Sequence, residues 1–328
     1  MTLAVKIINR QGTGNDAEWD VSEIVSGLSW KTSRIGKAGS VSFTLIKGSP
    51  FQTSNFTYNN GDIVRVRVND TNVFHGYIFS IDEGRDEAVK ITAYDQIRYL
   101  MNTDTYVFTG VTATEVVQRI AKDFNLKLGT LVDTRYKIPT MPPADGQKLL
   151  DIIDKAITLT LHHTGRDYCL YDDFGALCLR GADDTELDLI IGDDSLMYDY
   201  QVKRSIDSDT YNQIKLYRDN KETGRREIYL AKDSVNIKRW GLLQLYQAVN
   251  ENFNTAQISE LLNNLAQQKN RVAKSLKVNA LGDIRVRAGM RVRIVISEYG
   301  VDQALLVDEC SHDFDGAVHT MTLDLRVV

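Results

Sequence analysis

The sequence predicts a mainly β, α+β fold with two similar tube-like β-barrel domains at the chain ends and an α+β insert between them. Three observations carry this prediction. Short segments of alternating apolar and polar residues fill both ends of the chain. One β pattern occurs near residue 61 and again near residue 289, and two helical patterns with a cluster of prolines lie between them.

The first β pattern runs from Gly61 to Asp95. Valines alternate with arginines over residues 64–68, as in a strand with one buried face. After an Asn-Asp turn, residues 73–81 and 88–94 predict two further strands. Shorter segments before residue 60, bounded by Gly, Asn, Asp or Ser, bring the first hundred residues to about six or seven strands, enough for a small barrel or sandwich.

The same pattern returns after Gly289, where residues 290–296 again alternate apolar side chains with arginines. A turn at residues 298–300 and strands at 304–309 and 318–325 follow. We interpret this as one β unit used twice. The alternative is that two unrelated antiparallel meanders share the pattern.

The middle of the chain, residues 101–199, predicts an α+β insert. A capping box at residues 112–115 begins one helix, and Asp145 is predicted to cap a second. The prolines of residues 139–143 exclude helix or central strand there. Residues 168–180 predict a β-hairpin.

After residue 200, strands are predicted at residues 213–217 and 227–230. A second capping box, Asn254 with Gln257, begins a long helix that is expected to end near Ser275. The predicted domains are a first tube-like β-barrel domain, the insert, and a second tube-like β-barrel domain with one long helix, over residues 1–100, 101–199 and 200–328.

The bulk composition predicts two or three soluble domains, since 328 residues exceed what one core usually serves. A net charge of -5 argues against a chain built to grip nucleic acid, although a local basic stripe is present at residues 285–293. No apolar run has the length of a signal peptide core or a membrane span. We therefore expect no stable membrane anchor, no sequence-specific nucleic acid partner, and a protein made in the cytoplasm.

The search for chemistry finds no catalytic constellation. Adjacent histidines at 162 and 163 are the best metal candidate, but on a strand they would point to opposite faces. Aspartate doublets at 172, 183 and 193 lie in predicted turns, and three widely spaced cysteines are expected to be buried apolar residues. We expect a protein without enzyme activity, metal or cofactor, which binds other proteins.

A set of short motifs occurs in a fixed order along nearly the whole chain. They are Gly61-Asp62-x-Val64, Phe74-His75-Gly76-x-Ile78, Ile138-Pro139, Asn236 to Gly241, Leu281-Gly282-Asp283, Ala288-Gly289, His312 with Phe314, and Met321 to Leu325. This ordered set resembles the XkdQ/YqbQ-type phage tail hub proteins, which in turn resemble the central hub of contractile-tail baseplates.

The resemblance implies a homotrimeric ring in the baseplate of a phage tail or tail-like particle. Two tube-like β domains per chain would make a pseudo-sixfold collar, which joins a sixfold tail tube to a threefold puncturing spike. The implied partners are the tail tube protein, the spike protein and other baseplate and tail proteins. Two similar β units in one chain fit this role, because a trimer then presents six near-equivalent positions.

Candidate residues for the subunit or tube interface are the arginines of the two β patterns and one leucine of the long helix: Arg65, Arg67, Arg291, Arg293 and Leu262. The arginines lie either on a solvated strand face with intersubunit ion pairs or on a face that lines the tube. Leu262 is expected to pack in its own domain, and contact with a neighbouring subunit is the alternative.

Two other functions remain open. A tail-associated cell-wall hydrolase would need a site in the insert, around His162 and Asp167. A carbohydrate- or receptor-binding module would need an exposed aromatic platform. The candidates for that platform are Tyr106, Tyr136, Tyr168 and Tyr171.

Overall fold

The computed structural model describes residues 1–10, 17–52, 55–141, 143–207, 209–220, 224–249, 251 and 253–327, so Pro142 of the predicted proline cluster lies outside the described residues. The chain forms two compact units. Unit 1 comprises residues 1–201 and 277–327, and unit 2 comprises residues 202–276.

Seven strands form the N-terminal β unit. They are β1 (Leu3–Ile8), β2 (Glu18–Asp20), β3 (Val25–Ser33), β4 (Ser40–Ile46), β5 (Ile63–Val68), β6 (Thr71–Glu83) and β7 (Ala88–Tyr94). The alternation that predicted strands is visible as burial, since Val41, Phe43 and Leu45 of β4 lie in the core and the residues between them do not. The three strands predicted after Gly61 are confirmed as β5, β6 and β7.

The insert contains short strands and two helices. The strands are β8 (Thr103–Tyr106), β9 (Thr109–Val111), β10 (Leu128–Leu131), β11 (Ile138–Thr140), β12 (Ala144–Lys148), β13 (Tyr168–Asp172) and β14 (Leu177–Gly181), and the helices are α1 (Ala113–Asp123) and α2 (Leu149–Thr164). β13 and β14 form the predicted hairpin. The predicted cap Asp145 is wrong, because it lies in β12 and α2 follows Lys148 without a side-chain cap.

The capping box of α1 is confirmed. The Thr112 hydroxyl accepts from the Glu115 N–H at 3.1 Å, and the Glu115 carboxylate accepts from the Thr112 N–H at 2.7 Å.

Thr112→Ala is expected to lower the free energy of unfolding by about 1 kcal/mol, because one amide at the helix start loses its acceptor. Urea titration of the variant, beside Thr109→Ala on the exposed strand before it, measures the difference; equal stabilities of the two variants would contradict it.

Nine strands and two helices complete the chain. The strands are β15 (Glu186–Gly192), β16 (Met197–Ser205), β17 (Gln213–Asn220), β18 (Arg225–Lys232), β19 (Gln244–Ala248), β20 (Ala273–Leu281), β21 (Arg291–Ile296), β22 (Val301–Asp315) and β23 (Val318–Val327), and the helices are α3 (Ser234–Trp240) and α4 (Thr255–Lys269). We call β15, β16 and β20 to β23 the C-terminal β unit.

Unit 2 is a three-stranded sheet in the order β18-β17-β19, with α4 packed on one face. The capping box of Asn254 and Gln257 is confirmed. The predicted end of the helix near Ser275 is wrong: α4 ends at Lys269, and Ser275 already lies in β20. The amphipathic pattern does not show this boundary, because no proline or glycine marks it.

The strands of the two β units join in one 13-stranded sheet, which was not foreseen. Its main path runs β16-β20-β23-β22-β3-β4-β7-β6-β5-β1-β2, with β21 paired to β22 and β15 paired to β21. The prediction placed the two β patterns in separate domains at the chain ends. Their connection through β3 and β22 could not be predicted, because it pairs residues about 280 positions apart.

The interpretation of one β unit used twice is supported by the pairing order. Strands β3-β4-β7-β6-β5 of one unit correspond to β16-β20-β23-β22-β21 of the other. The next strands differ in direction, because β1 is antiparallel to β5 and β15 is parallel to β21. The glycines that open the two patterns repeat as well. The Gly61 N–H donates to Ile78 O at 2.8 Å and the Gly289 N–H donates to Val307 O at 2.8 Å, both from a left-handed backbone with φ of +87° and +80°.

Candidate functional site

The connection between the two β units, which we call the junction, pairs residues 28–33 of β3 antiparallel with residues 309–314 of β22. At its centre Trp30 faces His312 across the strands, and the two rings stack at 4.8 Å between centroids. Both side chains are buried. The junction is therefore a packed part of the core of unit 1 and holds β3 and β22 in a fixed register.

His312 is held in place by polar contacts in this apolar setting. Its Nε2 lies 2.8 Å from Val286 O and its Nδ1 lies 2.9 Å from His319 Nε2. Burial lowers the pKa of His312 to about 4. The ring is therefore neutral at physiological pH, and its role at the junction is structural.

Arg34 follows β3 and connects the junction to the insert. Its side chain is almost fully buried, with Nε 2.7 Å from an Asp308 oxygen and one terminal nitrogen 3.0 Å from Asp167. Its backbone N–H also donates to Asp308 O at 2.9 Å. Asp167, which was a candidate acid of a hydrolase, is thus engaged in a structural ion pair.

The repeat reveals an edge of β6 that lacks a strand partner. In β22, β21 pairs with residues 301–306 and β3 pairs with residues 309–314 of the same edge, while β23 covers the other edge. In β6, β5 covers residues 71–77 and β7 covers the opposite edge from residue 77 to 83. The edge of β6 that carries β5 therefore corresponds to the edge of β22 that carries β21 and β3. Within the described part of the chain, no strand pairs with residues 79–83 on that edge, where β22 would have β3 as its partner.

A second edge without a strand partner lies on β16, which corresponds to β3. β16 is the last strand of the sheet path and pairs with β20 on one side only, as far as the structure describes the chain. The two edges carry opposite charges: Asp82 and Glu83 on β6, and Lys203 and Arg204 on β16, all exposed. The β16 edge corresponds to the β3 side of the junction and the β6 edge corresponds to its β22 side, but these two edges are not paired with each other.

The predicted arginines lie on the corresponding strands β5 and β21. In the strand register, Arg65 of β5 lies opposite His75 of β6, and Arg293 of β21 lies opposite Ala304 of β22. Matched through the repeated glycine contacts, Arg65 and Arg293 occupy equivalent positions of the two units. Arg67 corresponds instead to a valine and Arg291 to an isoleucine, so only one arginine of each pair is repeated.

Each of these arginines has a partner within its own chain. Arg293 makes a two-point ion pair with Asp302 at 2.8 and 3.0 Å. Arg65 donates through Nε to His75 Nδ1 at 3.3 Å and lies 3.9 Å from Glu18. The side-chain partners of the other two are Asn72 at 2.8 Å for Arg67 and Asp183 at 2.9 Å for Arg291. Leu262 packs against the core of unit 2.

The tyrosines expected to form a platform are engaged separately. Tyr168 is buried, Tyr136 stacks on His163 at 4.1 Å, and Tyr106 stacks on Phe108 at 5.3 Å. Tyr171 lies under the guanidinium groups of Arg180 and Arg287. The two histidines considered as metal ligands lie at the end of α2 rather than on a strand, and the described residues contain no cluster that could hold a metal ion.

A row of aromatic rings that sequence reasoning missed follows the outer face of β6. Successive ring centroids lie 5.5 to 6.0 Å apart along Phe174, His75, Tyr77, Tyr99, Phe79 and Tyr94. The signal was present, because His75, Tyr77 and Phe79 are spaced two apart and share one face of the strand. Tyr94 ends β7, Tyr99 follows it, and Phe174 lies in the β13–β14 turn, so these rings are distant from β6 in sequence and could not be placed beside it.

Comparison with known proteins identifies relatives over nearly the whole chain. A family model described as YQBQ-like matches residues 28–326. The uncharacterized protein YqbQ of Bacillus subtilis (strain 168) is 33% identical over 274 residues, which are 83% of each chain. The phage-like element PBSX protein XkdQ of the same strain is 31% identical over 314 residues, which are 94% of each chain.

The fold is shared with a solved structure. The tail protein from Neisseria meningitidis MC58 aligns over 100% of this chain and 97% of its own, with a TM-score of 0.73 at 13% identity. Among the residues that the structure describes, none of the helices has the length and apolar character needed to cross a bilayer.

Proposed function

The chain belongs to the YQBQ-like family, and from this membership we propose that it is the structural hub of a contractile phage tail or tail-like particle. It assembles as a homotrimer whose six β units form a pseudo-sixfold collar between a sixfold tail tube and a threefold spike. The names of its relatives, a phage-like element protein and a tail protein, support the tail assignment. Its site of action is the baseplate.

The observation that carries the proposal is the incomplete repetition of the junction. One junction is formed inside the chain by β3 and β22, and the corresponding edges of β16 and β6 lack strand partners in the described residues. Pairing β16 of one copy with residues 79–83 of β6 in the next copy repeats the internal junction between copies. Such a head-to-tail contact closes into a ring when its rotation matches, and three copies then present six equivalent units.

The charges of the two edges fit this pairing. Asp82 and Glu83 of one copy would face Lys203 and Arg204 of the next, and opposite charges on adjacent strands favour pairing and register. In the same ring, Arg65 and Arg293 alternate as six equivalent positions, which we assign to the tube-facing surface. Arg67 and Arg291 then lie at threefold positions only.

Under this proposal each β unit contributes one tube-like barrel segment to the collar, and the insert that precedes β15 lies outside it. Residues 1–100 and the strands from β15 onward would supply the two near-equivalent positions of each subunit. Leu262 would reach a neighbouring subunit only through the partly exposed side of α4. Leu262→Asp is a poor test of that contact, because the same side chain packs in the core of unit 2.

The test is the mass of the protein in solution and its dependence on the charges of β16. The wild-type chain is expected to form a particle of three 37.0 kDa subunits with a ring outline in negative stain. Lys203→Glu with Arg204→Glu is expected to weaken assembly at least tenfold, because two attractive pairs at each edge become repulsive. Sedimentation velocity over a range of protein concentrations measures the shift.

The matched control is Lys238→Glu with Arg239→Glu, an adjacent exposed Lys-Arg pair on α3 with the same change of net charge. Adding Asp82→Lys to the β16 double variant should restore part of the assembly. A trimer that tolerates the β16 reversals would refute this edge as the contact. A chain that stays monomeric with the tube and spike proteins of its own particle present would refute the hub.

A further inference from the structure

Beside the aromatic row, unit 1 contains an open cleft of about 480 Å³, which lies in the range of ligand sites. Three cations line it from three separate segments: Arg10 after β1, Arg65 on β5 and Lys127 before β10. His75 and Tyr77 of β6 also line it, and Phe174 of the β13–β14 turn completes one wall. No acidic residue belongs to the described lining.

The positive charge of the cleft is poorly compensated. Arg10 and Lys127 make no ion pair with a carboxylate of the described residues, and the carboxylate nearest to Arg65 is Glu18 at 3.9 Å. Glu18 lies closer to Lys6, at 2.5 Å. Burial, and after it the charges of Arg65 and Lys127, lowers the pKa of His75 to about 4.

The backbone holds these cations in place. Asp62 accepts from the Arg10 N–H at 3.0 Å, and its carboxylate also accepts from the Asn9 side chain. Lys127 and Gln96 exchange two hydrogen bonds of 3.1 Å through the backbone of Lys127. The backbone of both residues is therefore fixed at the rim of the cleft, and the Arg10 guanidinium lies over the Tyr77 ring at 5.4 Å from its centroid.

The wall formed by Phe174 is unusual. Phe174 has φ of +48°, and a bulky side chain in this left-handed region is strained. Its ring contacts the His75 ring edge-on at 5.5 Å, and a Cβ on the following Gly175 would lie 2.8 Å from that ring. The turn thus places Phe before Gly where hairpin turns usually have Asn before Gly, and this brings an aromatic side chain to the cleft.

We propose that this cleft binds an acidic peptide segment of a partner protein, with carboxylates at Arg10, Arg65 and Lys127 and an apolar side chain on the aromatic wall. The cations favour an anionic ligand over a neutral one. The rings of Tyr77 and Phe174 favour a chain with apolar side chains over a bare phosphate, which would leave them in water. The site does not depend on the trimer and lies outside the β16 edge.

The test uses calorimetric titration of the full chain with the acetylated, amidated hexapeptide (Glu-Leu)3. We expect saturable binding, and at least tenfold weaker binding by Arg10→Gln with Lys127→Gln, two exposed side chains of which Arg10 contacts the Tyr77 ring. Arg85→Gln with Lys137→Gln makes the same change of charge on exposed residues outside the described lining, and should bind as the wild type does.

Further probes identify the ligand class. The neutral peptide (Gln-Leu)3 should bind at least tenfold more weakly, and the pKa of His75, followed by NMR, should rise when (Glu-Leu)3 is bound because carboxylates offset the nearby cations. Equal binding of the two peptides, or an unaffected Arg10 and Lys127 double variant, would overturn the proposal. Pyrophosphate that binds tightly while (Glu-Leu)3 does not would overturn the peptide and point to a phosphate ligand.

Discussion

Arg34→Ala is expected to lower the free energy of unfolding by about 3–5 kcal/mol. The side chain is 4% exposed and bonds to two carboxylates, Asp308 at 2.7 Å and Asp167 at 3.0 Å. Truncation removes the shared cation and leaves both acids facing a cavity in place of their partner. Asp167 is the less exposed of the two acids, and without Arg34 no cation offsets the free-energy cost of its burial.

Arg326 provides a matched control, because it pairs with the same acid, Asp308. Arg326 contacts the other oxygen of Asp308 at 3.3 Å, but its side chain is 42% exposed. Arg326→Ala should therefore cost less than about 1 kcal/mol, as exposed ion pairs usually do. Urea unfolding followed by tryptophan fluorescence compares the two variants, since Trp30 is buried at the junction. Equal losses would show that the burial of Arg34 does not determine its contribution.

Local elements could be predicted because their causes are local. The capping boxes at Thr112 and Asn254 lie within four residues of sequence. Alternating burial in β5 follows from strand geometry alone. The predicted end of α4 and the predicted helix cap at Asp145 were wrong for the opposite reason. In both places a strand, β20 or β12, pairs with a strand distant in sequence, and this tertiary pairing overrides the local helical pattern.

The site was predicted only in part, and the register of the repeat explains why. The sequence shows two arginines after each glycine, which invites a one-to-one match of the pairs. The structure instead equates Arg65 with Arg293, because the distances of the two arginine pairs from Gly61 and Gly289 differ by two residues. The edges of β6 and β16 carry no sequence signal of their own, since an unpaired edge is defined by what the other strands do.

A pair of buried carboxyl groups leads to the second prediction, a change in the pH dependence of stability. Asp172 and Asp95 are both buried in unit 1. Burial raises the pKa of Asp172 to about 6, and burial followed by the charge of Asp172 raises the pKa of Asp95. Between pH 4 and 6 the folded protein therefore retains a proton that the unfolded chain releases, and the free energy of unfolding falls as pH rises through this range.

His312 acts in the opposite direction over the same range. Its pKa of about 4 in the folded protein lies below its ordinary value, so the unfolded chain binds the proton first as pH falls. This contribution makes stability rise with pH between about 4 and 6.5. Burial also raises the pKa of Asp154 to about 6 and lowers that of His75 to about 4, so each direction has a further contributor and the opposing contributions partly cancel in the wild type.

Asp172→Asn separates them. The amide oxygen can still accept from the Gly175 N–H, which donates to Asp172 at 2.7 Å, so the turn is retained. Removing the titration is expected to stabilise the variant relative to the wild type by up to about 3 kcal/mol between pH 4 and pH 7, which corresponds to a shift of about two pKa units. Urea unfolding at half-unit pH intervals should show the stability of the variant relative to the wild type increasing as pH rises from 4 to 6. Asp173→Asn, on the exposed side of the same turn, should change the profile much less, because the charge of Asp173 adds little to the effect of burial on the pKa of Asp172. An Asp172→Asn curve that parallels that of Asp173→Asn would show that the buried carboxyl does not titrate in this range.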